Sequence, residues 1–183
     1  MKRGSMKYFL SMLSLLFLFI TSSLVYADTK VYFSPNGGSQ DMVISEIGKA
    51  HKTLDVAMYD LTSKAIAHAI LQAKERGVKI EIVLDKAQIK NRSSKSKSLI
   101  GKGINIKFHL GQGLMHDKFA VIDDQIILTG SFNWTIAADK KNNENLLVLT
   151  DKSLAEKYTK QFKQLWSQSG VGGFKDDRTE GDE

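Results

Sequence analysis

The chain has 183 residues, 26 Lys and Arg against 20 Asp and Glu, a formal charge of +6 and no cysteine. Disulfide frameworks, metal-thiolate sites and a lipid-modified cysteine anchor are thereby excluded, and stability must come from packing alone. The length suits one domain with a substantial core and is too short for two ordinary ones.

Positions 1–27 read as a secretory signal peptide. Lys2, Arg3 and Lys7 precede an apolar run from Tyr8 to Ile20, and Val25-Tyr26-Ala27 supplies small residues at the cleavage position. The alternative is a retained anchor, since Tyr8 to Ala27 spans 20 residues, about what a bilayer requires. Cleavage before Asp28 lowers the formal charge to +3, because the leader holds three basic residues and no acid. The expected protein is therefore exported, periplasmic or secreted, with one domain at 28–175 and an acidic tail at 176–183, where five acids face Arg178 alone.

Val31 to Phe33 predicts a first strand, ended by the turn cluster Ser34-Pro35-Asn36-Gly37-Gly38. A helix follows, with Ser39 as its cap and Val43, Ile47 and Ala50 at helical spacing. Leu54 to Tyr59 reads as a buried strand. A helix from about Ser63 to Arg76 buries Ile66, Ile70 and Ala73, Gly77 ends it, and Val78 to Leu84 forms the next strand. This β-α-β-α-β order argues for an α/β sheet with parallel pairing, because helical crossovers connect parallel strands.

Lys86 to Ser98, with four serines and five basic residues, reads as a mobile loop. Beyond it come a short helix around Ser98 and a strand from Ile104 to His109. Two apolar runs, Phe119 to Ile122 and Ile126 to Leu128, then form a hairpin around Asp123-Asp124-Gln125. Leu146 to Leu149 is a further strand. Leu154, Tyr158, Phe162 and Leu165 mark a C-terminal amphipathic helix.

The hairpin carries the chemistry at its open end. Side chains alternate along a strand, so His116 and Lys118 are expected on one face, and Ser131 and Asn133 likewise if the extended backbone continues past Gly130. An imidazole, an ammonium, a hydroxyl and an amide would then share one small site. Such a set can attack phosphorus while its donors neutralise the phosphate oxygens.

The spacing His116-x-Lys118-x4-Asp123-x6-Gly130-Ser131-x-Asn133 resembles the signature of the phospholipase D superfamily. The resemblance continues into Lys141-Asn142-Asn143-Glu144-Asn145-Leu146, where short members of the family carry a Glu-Asn pair ahead of a strand. The family implies a single phospholipase D-like α/β domain, and with the element order the expected sheet is mixed, mostly parallel and flanked by helices. It implies a phosphodiesterase that uses two histidines, one as nucleophile and one as general acid. This sequence has one copy of the motif, so the resemblance implies a homodimer in which both His116 residues serve one shared site.

In that reading His116 forms a covalent phosphohistidine while His116 of the second chain protonates the leaving oxygen and later activates water. Lys118 and Asn133 bind the non-bridging oxygens, with Ser131 assisting. Glu144 matches the carboxylate that orients the histidine. Gly130 permits close backbone approach. Asp123 sits at the hairpin turn, too far along the strand to reach the phosphate, and reads as structural. His51, His68 and His109 lack such neighbours and read as structural too. Phe132 and Trp134 flank the site and either stack on bases or belong to the core. No metal or cofactor is expected, because the nucleophile is a side chain and Asp123-Asp124 has no third ligand at helpful spacing.

The leading expectation for substrate is nucleic acid, DNA first with RNA as a further candidate, cut without sequence preference. A small single-motif chain of the family implies it. So does the basic run from Lys86 to Lys102, of which Lys90, Arg92, Lys95 and Lys97 are the candidate phosphate contacts. Phospholipid hydrolysis by the same residues is the second reading. A nucleic-acid-binding module with an idle site is the third.

Overall fold

The computed structural model describes residues 28–172. The expected leader at 1–27 and the acidic tail at 176–183 lie outside the described residues. Eight strands form one sheet: β1 (Asp28–Ser34), β2 (Thr53–Met58), β3 (Lys79–Asp85), β4 (Asn105–His109), β5 (Lys118–Ile122), β6 (Ile126–Gly130), β7 (Glu144–Thr150) and β8 (Ser169–Gly170). The helices are α1 (Ser39–Gly48), α2 (Lys64–Glu75), α3 (Ala87–Lys90), α4 (Ser96–Gly101), α5 (Ile136–Lys140) and α6 (Lys152–Ser167). Among the described residues no helix is long and apolar enough to cross a membrane.

The strand order is β1-β7-β6-β5-β2-β3-β4-β8. This is the mixed α/β sheet expected, but not a mostly parallel one. Only β2–β3 and β3–β4 are parallel, and the other five pairings are antiparallel. The difference has a local cause. A connection as short as Asp123-Asp124-Gln125 can only join antiparallel strands. In this β5–β6 turn Asp123 (φ 52°) and Asp124 (φ 56°) are both left-handed, and Gln125 donates its N–H to the Ile122 carbonyl at 3.0 Å. The hairpin then docks β5 antiparallel to β2, and β7 returns antiparallel to β6.

Both sheet faces are covered, and the alternation along β5 shows how. Ala120 and Ile122 join the larger core with Val43 and Ile47 of α1, Ile66 and Ile70 of α2, and Ile80, Ile82 and Leu84 of β3. Phe119 and Val121 join the smaller one with Ala155, Phe162 and Leu165 of α6. The two sides thus bury opposite residues of the same strand, as period-two geometry requires.

Helix ends follow their sequence signals with one exception. Ser63 Oγ accepts the Ile66 N–H at 3.3 Å, and Gly77 at φ 90° follows α2. Asp151 caps α6 through the Leu154 N–H at 3.0 Å. Ser39, expected as a cap, is instead the first residue of α1, and Gly38 at φ 80° holds the cap position. The segment from Lys86 to Ser98, expected as a loop, carries α3 and the start of α4. It is pinned by bonds that composition does not reveal: Ala87 N–H to Asp85 Oδ1 at 2.8 Å and Lys95 N–H to the Leu61 carbonyl at 2.9 Å.

Candidate active site

Strand direction gathers the motif. Because β2, β5, β6 and β7 alternate in direction, the end of β2, the start of β5, the end of β6 and the start of β7 all fall at one edge of the sheet. Tyr59, His116 with Lys118, Gly130 with Ser131, and Glu144 occupy these four positions.

His116 and Lys118 line an open cleft of about 360 Å³ together with Thr129 and Gly130, and Lys157 and Gln161 of α6 form its far wall. The approach to His116 is fixed by a buried acid: Asp85 Oδ2 accepts the Met115 N–H at 2.9 Å. Lys118 Nζ donates to the His116 carbonyl at 2.6 Å, so the ammonium is tied to the residue that bears the imidazole. Partial burial pulls the Lys118 pKa below the usual lysine range, while the charges of Asp117 and Glu144 act the other way.

The Tyr59 ring completes this group, with its centroid 4.5 Å from the His116 imidazole and 5.0 Å from Lys118 Nζ. Its backbone is locked by a bond from Tyr59 N–H to the Asp117 carbonyl at 3.1 Å. Sequence reasoning missed Tyr59, Lys157 and Gln161. Tyr59 ends an ordinary apolar strand, and the helix residues sit among other polar positions of α6, so only the register of Met58 against Lys118 and the docking of α6 reveal them.

The other motif residues form a network beside the cleft. Ser131 Oγ donates to Glu144 Oε2 at 2.5 Å and accepts the Asn145 N–H at 3.1 Å, while Ser131 N–H donates to Asn145 Oδ1 at 2.8 Å. Glu144 Oε1 accepts from Asn142 at 3.1 Å. Among the described residues the Glu144 carboxylate is thus held by Ser131 and Asn142 and bonds no histidine. Gly130, at φ 143°, admits the network, since a Cβ there would run into the Asn145 carbonyl. Asn133 is partly buried, and its amide oxygen has no hydrogen-bond partner.

Asp123 is at the far end of the hairpin. Its carboxylate accepts the backbone N–H groups of His51 at 2.9 Å, Lys52 at 2.7 Å and Thr53 at 2.9 Å, tying the turn to the entry of β2. Burial works against its charge, but these three bonds hold the carboxyl below the usual carboxylate range.

Trp134 requires a correction. It is 1% exposed, like Phe132, and belongs to the main core, where its N–H and carbonyl bond to Asp60 and to Thr62 and Ser63. Neither ring is presented to a base. The basic candidates separate: Arg92 and Lys95 line a second cavity with Asp60 and Lys64, whereas Lys90 and Lys97 lie off its wall. Among the described residues no group of three or more His, Asp or Glu is arranged to hold a metal.

An α/β sheet that presents a His-x-Lys pair and a Gly-Ser-x-Asn segment at one edge defines a phosphodiesterase of the phospholipase D superfamily. The chain belongs to that family, matching the "Cardiolipin synthase, PLD-like domain" over residues 43–166. It is 34% identical over 137 residues to a phospholipase D of Rickettsia prowazekii, covering 75% of this chain and 67% of that protein. It is 31% identical over 120 residues to the mitochondrial cardiolipin hydrolase of Xenopus tropicalis, covering 66% of this chain and 57% of that protein. Among solved structures, a phospholipase D family member, Nuc from Salmonella typhimurium, aligns with a TM-score of 0.74 at 32% identity, over 78% of this chain and 96% of Nuc. NucT from Helicobacter pylori aligns with a TM-score of 0.71 at 25% identity, over 79% of this chain and 98% of NucT.

Proposed function

We propose that this protein is an exported, metal-independent endonuclease that cuts DNA, and RNA by the same chemistry, through a phosphohistidine formed on His116. The observation that carries this reading is the cleft: His116 and Lys118 border an open space whose far wall supplies Lys157 and Gln161. An open, cationic cleft suits a phosphate embedded in a long polymer, where backbone contacts dominate binding. Likeness to Nuc and NucT over nearly their whole lengths supports the same reading.

In this mechanism His116 attacks phosphorus and the phosphorus–oxygen bond to the leaving strand breaks. The departing oxygen takes a proton from His116 of the partner subunit, and that imidazole then takes a proton from the water that releases the second product. Lys118 and the amide of Asn133 hold the non-bridging oxygens. Glu144, braced by Ser131, is the carboxylate reserved for the imidazolium, and a two-fold pairing of chains brings the two histidines together.

Phospholipid hydrolysis is the second reading. It is favoured by the names of the Rickettsia and Xenopus relatives and by Leu110 and Leu114, 53% and 61% exposed on the segment that leads to His116. One assay separates the two: purified protein in excess EDTA with plasmid DNA, beside cardiolipin and phosphatidylcholine vesicles. The nuclease reading expects DNA cleavage that persists in the chelator. Headgroup release without DNA cleavage transfers the conclusion to lipid, and DNA binding with neither product marks an idle site.

A further inference from the structure

We propose that the second cavity, walled by Lys64, Arg92 and Lys95, is a subsite for another phosphate of the same strand, next to the one being cut. The inference rests on the nuclease reading and specifies which of the basic residues meet substrate.

The cavity has a volume of about 640 Å³, larger than the catalytic cleft. Lys64 comes from the start of α2, Arg92 and Lys95 from the segment between α3 and α4, and Thr135 and Ile136 close the opposite side. Its floor includes Asp60, the residue after the tyrosine whose ring lies against His116. Asp60 follows the end of β2, and Arg92 and Lys95 follow the end of the parallel β3, so the cavity lies at the same end of the sheet as the start of β5, which His116 precedes. A nucleic-acid strand carries a negative charge at every nucleotide, so one held at His116 has further phosphates to offer there.

The cations project from an ordered wall. Lys95 N–H is bonded to the Leu61 carbonyl at 2.9 Å, Ser93 N–H to Asn91 Oδ1 at 2.9 Å, and Ser94 Oγ to Ser96 Oγ at 3.0 Å. Among the described residues Lys64, Arg92 and Lys95 form no ion pair; the four salt bridges involve other lysines. One acid faces three cations. One oxygen of Asp60 is buried without a hydrogen-bond partner, burial raises its pKa while a side-chain hydrogen bond with Gln88 acts the other way, and the ionised carboxylate opposes a bound phosphate. That opposition supplies a control of the opposite sign.

The test is steady-state cleavage by the full chain of single-stranded oligonucleotides of increasing length, beside bis(p-nitrophenyl) phosphate, which carries a single diester. For the Lys64→Gln, Arg92→Gln and Lys95→Gln combination, the loss in kcat/KM should grow with substrate length. The slope of log binding constant against log salt should flatten by about 0.7 for each phosphate that the variant no longer neutralises. Asp60→Asn should do the reverse and lower KM for the longer substrates. A wild-type chain that cuts DNA, with a variant loss equal at every length or an unchanged salt slope, overturns the subsite alone. So does an Asp60→Asn KM that stays level or rises, a result that stands even if the triple variant fails to fold. A wild-type chain that cuts no oligonucleotide overturns the nuclease reading and the subsite with it.

Discussion

The Tyr59 ring lies 4.5 Å from the His116 imidazole, tilted by 57°, with Lys118 Nζ 5.0 Å from the same ring. One aromatic side chain thus touches both the imidazole proposed as nucleophile and the cation expected to bind the phosphate. Aromatic and cation–π interactions of this kind are worth about 0.5–1.5 kcal/mol each. Removing them lets the imidazole and the ammonium leave their alignment. Tyr59→Ala should therefore lower kcat about tenfold, the change that corresponds to about 1.4 kcal/mol, with a smaller effect on KM. Tyr59→Phe should retain most of the rate. Phosphodiester hydrolysis kinetics check this, and equal losses for Ala and Phe would assign the effect to the hydroxyl instead.

Asp123 is expected to matter for stability and not for turnover. Its three backbone bonds join the hairpin turn to the entry of β2, and hydrogen bonds to a charged group are worth about 1.5–3 kcal/mol without being additive. Asp123→Ala should lose about 2–3 kcal/mol in denaturant unfolding while keeping its kcat at temperatures where it is folded. The sign with pH follows from a depressed carboxyl. The wild-type advantage is full above the unfolded value of about 4 and disappears as pH falls through the folded one. A gap that persisted in strong acid would contradict the assignment.

Asp55 on β2 has the opposite character. Burial, then the Glu81 carboxylate paired with it across β2–β3, pushes its carboxyl up from 3.8 to about 6, with Lys79 offsetting part of the shift. The folded chain holds this proton more tightly than the unfolded one, so stability falls as pH rises from about 4 to about 6 and stays lower above. Discounted for the partial exposure of the site, Asp55→Asn should stabilise the protein by about 1–2 kcal/mol at pH 8. The gain should vanish below about pH 4. Denaturant midpoints across that range measure it.

The site is legible in the sequence where spacing alone identifies residues. His116, Lys118, Gly130, Ser131 and Glu144 meet at one sheet edge because their spacing places them at the ends of neighbouring strands, and the Asp123 turn reads as structural for the same reason. What spacing cannot convey is which strand a segment lies against. Tyr59 reaches His116 only because β2 takes β5 as its neighbour, a pairing between segments about 60 residues apart. That same insertion makes the sheet more antiparallel than the β-α-β order suggests. Trp134 flanks the motif in sequence, which makes it look available to a base. It is buried because its backbone pairs with Leu61 and turns the ring into the core. A serine-rich, basic composition hides the short helices α3 and α4, and the bonds that Ala87 and Lys95 N–H donate to Asp85 and Leu61 organise that segment.

The central claim is that hydrolysis needs two copies of His116 at one site, and subunit mixing tests it most directly. A heterodimer of wild-type and His116→Ala chains should be inactive, because its shared site lacks either the nucleophile or the acid. Adding increasing His116→Ala chain to a fixed amount of wild type, with subunit exchange verified independently, should therefore suppress activity on phosphodiester substrate toward zero. Constant activity per wild-type chain at every mixing ratio would contradict the account, since each subunit would then be working alone.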